Sequence, residues 1–215
     1  MKTYKGLSLL LDYPEPEWLA ALDEIEEVLV EEAERNGSAA EMLAPLLTWL
    51  RTEPLVRLQE NYVATFDRHP AHSLHLFEHL HGESRERGPA LLDLQAEYAR
   101  HGLTLCAKEL PDYLPLFLEY LSLLPEAEAK ALLGEAVHVL AHIGRRLALH
   151  QSPYARVFEV LARLSPLAAE PLRTPVRDME QVLEAQGPAA DGAEPLLVPH
   201  VAYLSPPRRR PPASR

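Results

Sequence analysis

The chain has 215 residues, 47% of them hydrophobic, which is enough for one ordinary core. Its 32 acidic residues outnumber 21 basic ones, and four of the arginines sit in the acid-free tail "SPPRRRPPASR", so residues 1–204 carry 17 basic against 32 acidic, a net −15. That field repels phosphate backbones, which excludes nucleic acid as a partner, and a single cysteine, Cys106, excludes an intrachain disulfide or a four-cysteine metal or iron–sulfur site.

At the N-terminus two lysines precede the apolar run "LSLLL", which Asp12 breaks. The run is too short for a signal sequence or a membrane span, and no other stretch approaches eighteen apolar residues. The expectation is a protein of the reducing cytoplasm with no stable membrane insertion. From Trp18 the series Trp18, Leu22, Ile25, Leu29 keeps helical spacing with acids around the rest of the wheel, so one amphipathic helix with an acidic outer face is expected. Ser38 and Glu41 have capping-box spacing, while Pro45 sits too deep for a regular helix starting at Ser38. In "TEPLVRLQENYVATF", Leu55, Leu58, Tyr62 and Phe66 share a face behind Pro54.

Pro89 opens the next helix, with Leu91, Leu94 and Tyr98 as its stripe and Gly102 as its C-terminal cap. "YLPLFLEYLSLL" follows Asp112 and tolerates Pro115 only in a first turn. Pro125 then opens a long helix whose buried face is Leu133, Val137, Leu140, Ile143 and Leu147, with a weak point at Gly134. Ser152 and Pro153 start a last one, "PYARVFEVLARL". No alternating β-branched run occurs, so the fold class is all-α, a single-domain helical bundle of roughly eight to ten helices over residues 1–165. Eleven of the 20 prolines fall in residues 151–215. Residues 166–215 therefore read as a Pro-rich extension, partly disordered, with one short helix at Val176–Gln186.

The chemistry-bearing residues concentrate between Asp67 and Gly88, in "DRHPAHSLHLFEHLHGESRERG". His72, His75 and His79 are spaced as metal ligands on a helix, with Glu78 and Glu83 nearby, but there is no HExxH and no closed four-ligand pattern. A metal-dependent enzyme built on His75, Glu78 and His79 is thus one alternative function. Hydrolase signals are absent: there is no G-x-S-x-G elbow and no Gly-rich phosphate loop, and Cys106 reads as a small buried hydrophobe. Another reading makes Leu74, Leu76, Phe77 and Leu80 core and the histidines a polar face. The mixed-sign run around Gly82 instead suits a fixed loop or a surface offering hydrogen bonds to a partner.

"SLHLFEHLHGESRERG", preceded by "YVATFDR" and followed by "ELPDYLPLFLEYLSLLP", resembles the NarJ family of nitrate reductase molybdenum cofactor assembly chaperones. The similarity runs from about Leu7 to Leu164 and includes "LLLDYPEP", "AEYARHGL" and "SPYARVFEVLARL" in order. Asp67, Arg68, Ser73, Leu74, Phe77, Glu78, His79, His81, Gly82, Glu83, Ser84, Arg85, Arg87 and Gly88 match the family pattern, whereas His69, His72 and His75 do not belong to it. The resemblance implies a NarJ/TorD-like helical chaperone with no catalytic activity and no cofactor of its own. It implies binding of the nitrate reductase catalytic (alpha) subunit apoprotein through its N-terminal peptide. The client is then held open for molybdenum cofactor insertion and iron–sulfur loading before membrane docking. A permanent helical subunit of a redox complex is the remaining alternative.

On that basis Phe66, Asp67, Phe77, Glu78, His79, His81 and Glu83, with Asp112, Tyr113 and Pro115, are expected to line or support the client site, Phe66 and Phe77 largely from the core. Asp67, Glu78, Glu83 and Asp112 would attract basic client residues, while neutral His79 and His81 complete hydrogen bonds near the turn and weaken binding when protonated. Arg85 and Arg87 are expected to fix the turn through Glu83 and Glu86, with Gly82 and Gly88 as its bounding glycines.

Overall fold

The computed structural model describes residues 1–36, 38–82, 84–105 and 109–172, with backbone alone at 35 and 36. Glu83, Cys106, the Val176–Gln186 helix and the rest of the extension beyond residue 172 lie outside the described residues. Within them the fold is all-helical, and the only β-type pairing is an isolated antiparallel bridge between His75 and Tyr113.

Helix α1 (Lys2–Leu10) buries Leu7 and Leu10 and begins under a borrowed cap. The Glu32 carboxylate accepts from the backbone N–H of Lys2 (3.1 Å) and Thr3 (2.7 Å) and from the Thr3 hydroxyl (2.6 Å). Burial would raise the Glu32 carboxyl, but those donors outweigh it and hold it below the usual range. Where one helix from Trp18 was expected, the chain makes two, α2 (Pro16–Leu19) and α3 (Leu22–Glu31). A tight turn at Ala20 and Ala21 separates them, closed by Ala21 N–H donating to the Trp18 carbonyl and anchored by the Trp18 indole N–H on the Tyr13 carbonyl at 2.8 Å. Trp18, Leu22, Ile25 and Leu29 are all buried nonetheless.

After the short α4 (Ala33–Asn36), α5 (Ala39–Thr52) runs straight through Pro45, whose ring is on the exposed face. The expected capping box does not form. Ser38 sits at φ 63° with no side-chain cap, and its carbonyl accepts from Glu41 N–H instead. Helix α6 (Leu55–Tyr62) starts behind Pro54 and passes into a π-turn at Val63–Asp67, closed by Arg68 N–H on the Val63 carbonyl at 3.0 Å. A 3₁₀ turn (Pro70–His72) leads to α7 (Leu76–His81). Gly82, at φ 54°, ends α7 in the left-handed half of backbone space, as expected for a turn glycine. Gly88 lies inside the first turn of α8 (Arg87–Arg100), not at the end of a loop.

Gly102 (φ 74°) stops α8, with its own N–H on the Ala99 carbonyl and Leu103 N–H on the Tyr98 carbonyl. Pro115 falls in the first turn of α9 (Leu114–Leu123), as its missing N–H requires. Helix α10 (Glu126–Leu149) is continuous across Gly134, with the five expected positions from Leu133 to Leu147 wholly buried. It lies against α11 (Ala155–Leu164) so closely that a Cβ on Gly144 would fall 2.7 Å from the Phe158 Cβ. Helices α1 and α9 form the other tight pair.

The residues just past α11 lie back on α10: Leu167 and Pro166 cover Gly134, and Glu170 N–H donates to His138 Nδ1 at 2.8 Å. Leu74 and Leu76 join the core and Phe77 packs half-buried against it, whereas Leu80 is exposed and does not belong to it. In the 3₁₀ turn His72 is buried beside His69 and His150. Burial, and then the His69 ring, push its imidazole down to about 4, so the ring is neutral.

Candidate client-binding cleft

Two sequence motifs far apart in the chain meet through their backbones. Leu76 N–H donates to the Asp112 carbonyl (3.1 Å) and Leu114 N–H to the Leu74 carbonyl (2.8 Å), which is the His75–Tyr113 bridge in atomic terms. Asp112 locks the junction. Its wholly buried carboxylate accepts from Phe77 N–H at 2.9 Å and from His75 Nδ1 at 3.3 Å. Burial alone would raise this carboxyl, but the His75 hydrogen bond, the Phe77 N–H and the nearby Arg87 charge hold it below the ordinary carboxylate range. The same hydrogen bond raises the His75 imidazole against the opposing effect of burial.

Beside the junction opens a cleft of about 660 Å³. Its apolar walls are Leu9, Leu74, Leu116 and Pro115, with Tyr13, Tyr62, Phe66 and Tyr113 as the aromatic surface. The aromatics form a ladder. Tyr13 meets Tyr62 edge-on at 5.5 Å, Tyr62 meets Phe66 at 4.9 Å, and Phe66 meets the buried Tyr154 at 4.9 Å. Tyr62 donates to the Leu11 carbonyl and shares a 3.0 Å hydrogen bond with the Tyr113 hydroxyl, and burial pushes the Tyr113 phenol up to about 12. Behind them the Ser8 hydroxyl donates to the Pro115 carbonyl at 2.7 Å, fixing α1 to the start of α9. Tyr62, Phe66 and Tyr113 are thus anchored from behind, while Tyr13 is exposed at the edge.

The cleft's charge is one-sided. Asp12, Asp67, Glu78, Glu109 and Glu119 reach it against Lys5, and Lys5 is already paired with Glu119 at 2.6 Å. Glu78 is engaged too, by Arg87 at 3.1 Å and the Ser73 hydroxyl at 2.5 Å. Asp12, Asp67 and Glu109 are exposed, and among the described residues no ion pair engages them. The π-turn matters here, because widening the last turn after α6 carries Phe66 inward and leaves Asp67 on the rim.

Of the residues singled out in the sequence, Phe66, Asp67, Glu78, Tyr113 and Pro115 line the cleft. Asp112 does not. It is sealed beneath, where its charge is out of reach of solvent. His79 also faces away, with Nε2–H donating to the Ser73 carbonyl at 2.8 Å and its ring beside His142, and burial lowers its imidazole. Phe77 and His81 stack edge-on at 5.6 Å outside the cleft. The histidine whose protonation the cleft would feel is thus His75, which lines it, rather than His79.

Of the expected pairs of Arg85 and Arg87 with Glu83 and Glu86, Glu83 lies outside the described residues; Arg87 pairs with Glu78, and Arg85 is exposed. His75 bonds to Asp112, while Glu78 and His79 are engaged by the Ser73 hydroxyl and carbonyl, and among the described residues these three do not form a converging ligand set for the metal-enzyme alternative. Sequence reasoning missed the contribution of Leu9 on α1 and of Asp12 and Tyr13 just after it. The signal was present in "LLLDYPEP", whose acid and tyrosine follow directly on an apolar run.

Residues 32–159 match the family described as "Nitrate reductase delta subunit". The chain is 41% identical over 164 residues to the nitrate reductase molybdenum cofactor assembly chaperone NarJ of Escherichia coli K12, covering 76% of this chain and 70% of that one. The chain belongs to the NarJ family of nitrate reductase assembly chaperones. Two further relatives bear the qualified name "probable nitrate reductase molybdenum cofactor assembly chaperone". NarW of E. coli K12 is 41% identical, covering 77% of this chain and 68% of its own. NarJ of Bacillus subtilis strain 168 is 33% identical, covering 74% and 85%. The family is one of chaperones rather than enzymes. No helix among the described residues is long and apolar enough to cross a membrane.

Proposed function

We propose that this family member receives the N-terminal segment of its nitrate reductase catalytic subunit in the acidic, aromatic-walled cleft. There it holds the apoprotein open for molybdenum cofactor and iron–sulfur insertion and delays its docking at the membrane. The observation that carries this reading is the pairing of an anchored apolar surface with unneutralised rim carboxylates Asp12, Asp67 and Glu109. A basic amphipathic segment is the ligand such a surface fits: apolar side chains meet the tyrosine ladder while the rim attracts the cations. Asp112 and His79 act from beneath by fixing the wall, and Phe77 and His81, on α7 outside the cleft, lie where an apoprotein larger than its leader would extend. The working compartment in this reading is the cytoplasm.

The test is calorimetric titration of the chain with a synthetic peptide of the catalytic subunit's N-terminus. Saturable binding is expected, lost with a scrambled peptide and weakened at least about tenfold by Asp67→Lys combined with Glu109→Lys, since two reversed charges convert attraction into repulsion. Affinity unchanged by the double reversal would remove the cleft from the proposal.

A further inference from the structure

Away from the cleft, the 3₁₀ turn and the end of α10 bring three histidines together. His69 and His72 stack with ring centroids 4.1 Å apart and planes 14° from parallel, and His150, just past the last residue of α10, sits 4.8–4.9 Å from both. One ring nitrogen from each lies within 4.8 Å of the other two. Among the described residues no other three histidine, cysteine or acidic side chains converge in this way.

The hydrogen bonds orient this cluster. His72 Nδ1 is 3.0 Å from the Thr65 carbonyl, which can only accept, so Nδ1 bears the proton and the Nε2 lone pair faces the His150 ring. Thr65 is in the π-turn, and the residue five on from it, Pro70, has no N–H to offer that carbonyl. The distance from the His72 Nε2 to His150 Nδ1 is 2.8 Å, and the Arg146 carbonyl also lies near the ring. A buried neutral imidazole, with one nitrogen tied to a carbonyl and the other aimed at a second imidazole, is the arrangement by which proteins orient a metal-binding histidine.

We propose that His69, His72 and His150 form a binding site for a divalent transition-metal ion that prefers imidazole, with zinc as the expected occupant. Tetrahedral coordination at the usual Zn–N distances of about 2.0–2.1 Å needs ligand nitrogens about 3.3 Å apart. The 2.8 Å pair must open slightly, the wider separations must close by about 1.5 Å at most, and the His69 ring must turn out of its stack on His72 so that the ion lies in the plane of each imidazole. His150 is exposed and can make that adjustment, while His72 stays fixed by Thr65. On binding, the hydrogen bond between His150 and His72 is replaced by two metal–nitrogen bonds. His150 moves its proton from Nδ1 to Nε2, so no net charge leaves the protein. Water completes the fourth position from the exposed side. The ion would tie the turn before Ser73 to the end of α10, a structural staple that does not depend on the proposed client.

The experiment uses the full chain without an affinity tag, stripped with a chelator and titrated with zinc chloride by calorimetry, then with cobalt chloride followed by visible absorption. Expected are one equivalent of zinc at micromolar affinity or tighter, intense tetrahedral cobalt bands, and a thermal midpoint that rises with zinc. His150→Ala changes an exposed residue at a helix end. It should weaken zinc binding at least about tenfold and abolish the rise, with His69→Ala behaving likewise and His81→Ala leaving both unchanged. No saturable binding up to millimolar zinc would overturn the site, as would a His150→Ala protein that binds as tightly as the parent.

Discussion

The floor and the rim of the cleft are built from the same residue types and behave in opposite ways. On the floor, Asp112 is wholly buried and both its oxygens are engaged, by His75 and Phe77. On the rim, Asp67 is exposed, and no ion pair engages it among the described residues. A carboxylate in the first position determines shape, because losing it strands buried donors. In the second it determines the field, because water already satisfies it. A motif shared across a family therefore need not be a list of contacts. Some of its residues build the surface and others lie exposed on it.

The largest expected effect comes from breaking the floor. Asp112→Ala would leave Phe77 N–H and the His75 ring facing a buried void, at a cost of about 3–4 kcal/mol from two charge-assisted hydrogen bonds. Urea unfolding of the variant measures this directly, and a loss below about 1 kcal/mol would mean that the bridge at His75 and Tyr113 holds without the carboxylate. Asp112→Asn keeps an acceptor for Phe77 and should cost about half as much.

The rim should behave in the reverse way. Asp67→Asn and Glu109→Gln should each leave stability within about 0.5 kcal/mol, as exposed polar substitutions do. Together they should weaken a basic client peptide several-fold and flatten the dependence of its affinity on salt, because screening acts on the charges removed. Titrations at low and high salt, beside unfolding curves, separate the two effects. Loss of stability with salt dependence unchanged would assign these residues to the floor.

This division explains what the sequence disclosed. Helical spacing alone located the buried faces of α3 and α10 and, after Pro54, Leu58, Tyr62 and Phe66, because burial of every third or fourth residue repeats locally. Caps and breaks were less legible. Nothing in Ala20 and Ala21 distinguishes a turn from a helix when Trp18, Leu22, Ile25 and Leu29 keep step across it, and Pro45 was tolerated because its ring points to solvent. The site residues were named by resemblance, but which face each one presents depends on a partner far along the chain. Asp112 looks like any acid before a helix until His75, 37 residues earlier, closes over it. His150 likewise gives no hint of His72, 78 residues away, in any local spacing.

The smallest effect joins floor and rim through His75, which hydrogen-bonds Asp112 and also lines the cleft. Its folded-state value is raised by Asp112, so its contribution to stability is fully present below the unfolded histidine value near 6.5 and is lost as pH rises through the raised folded value. Asp112 is lowered, so its contribution is present above the unfolded aspartate value near 3.9 and is lost as pH falls through the lowered folded value. The pair thus stabilises most between about pH 4 and 6.5. Replacing His75 with Gln should reduce stability more at pH 5.5 than at pH 8.5, a difference that paired unfolding curves resolve. The client responds with the opposite sign. Protonated His75 places a cation in the cleft, so a basic peptide should bind less tightly at pH 5.5 than at pH 8.5, and the Gln variant should lose that dependence. Equal losses of stability at the two pH values, with peptide affinity still falling in the acid, would place the titrating group elsewhere in the cleft.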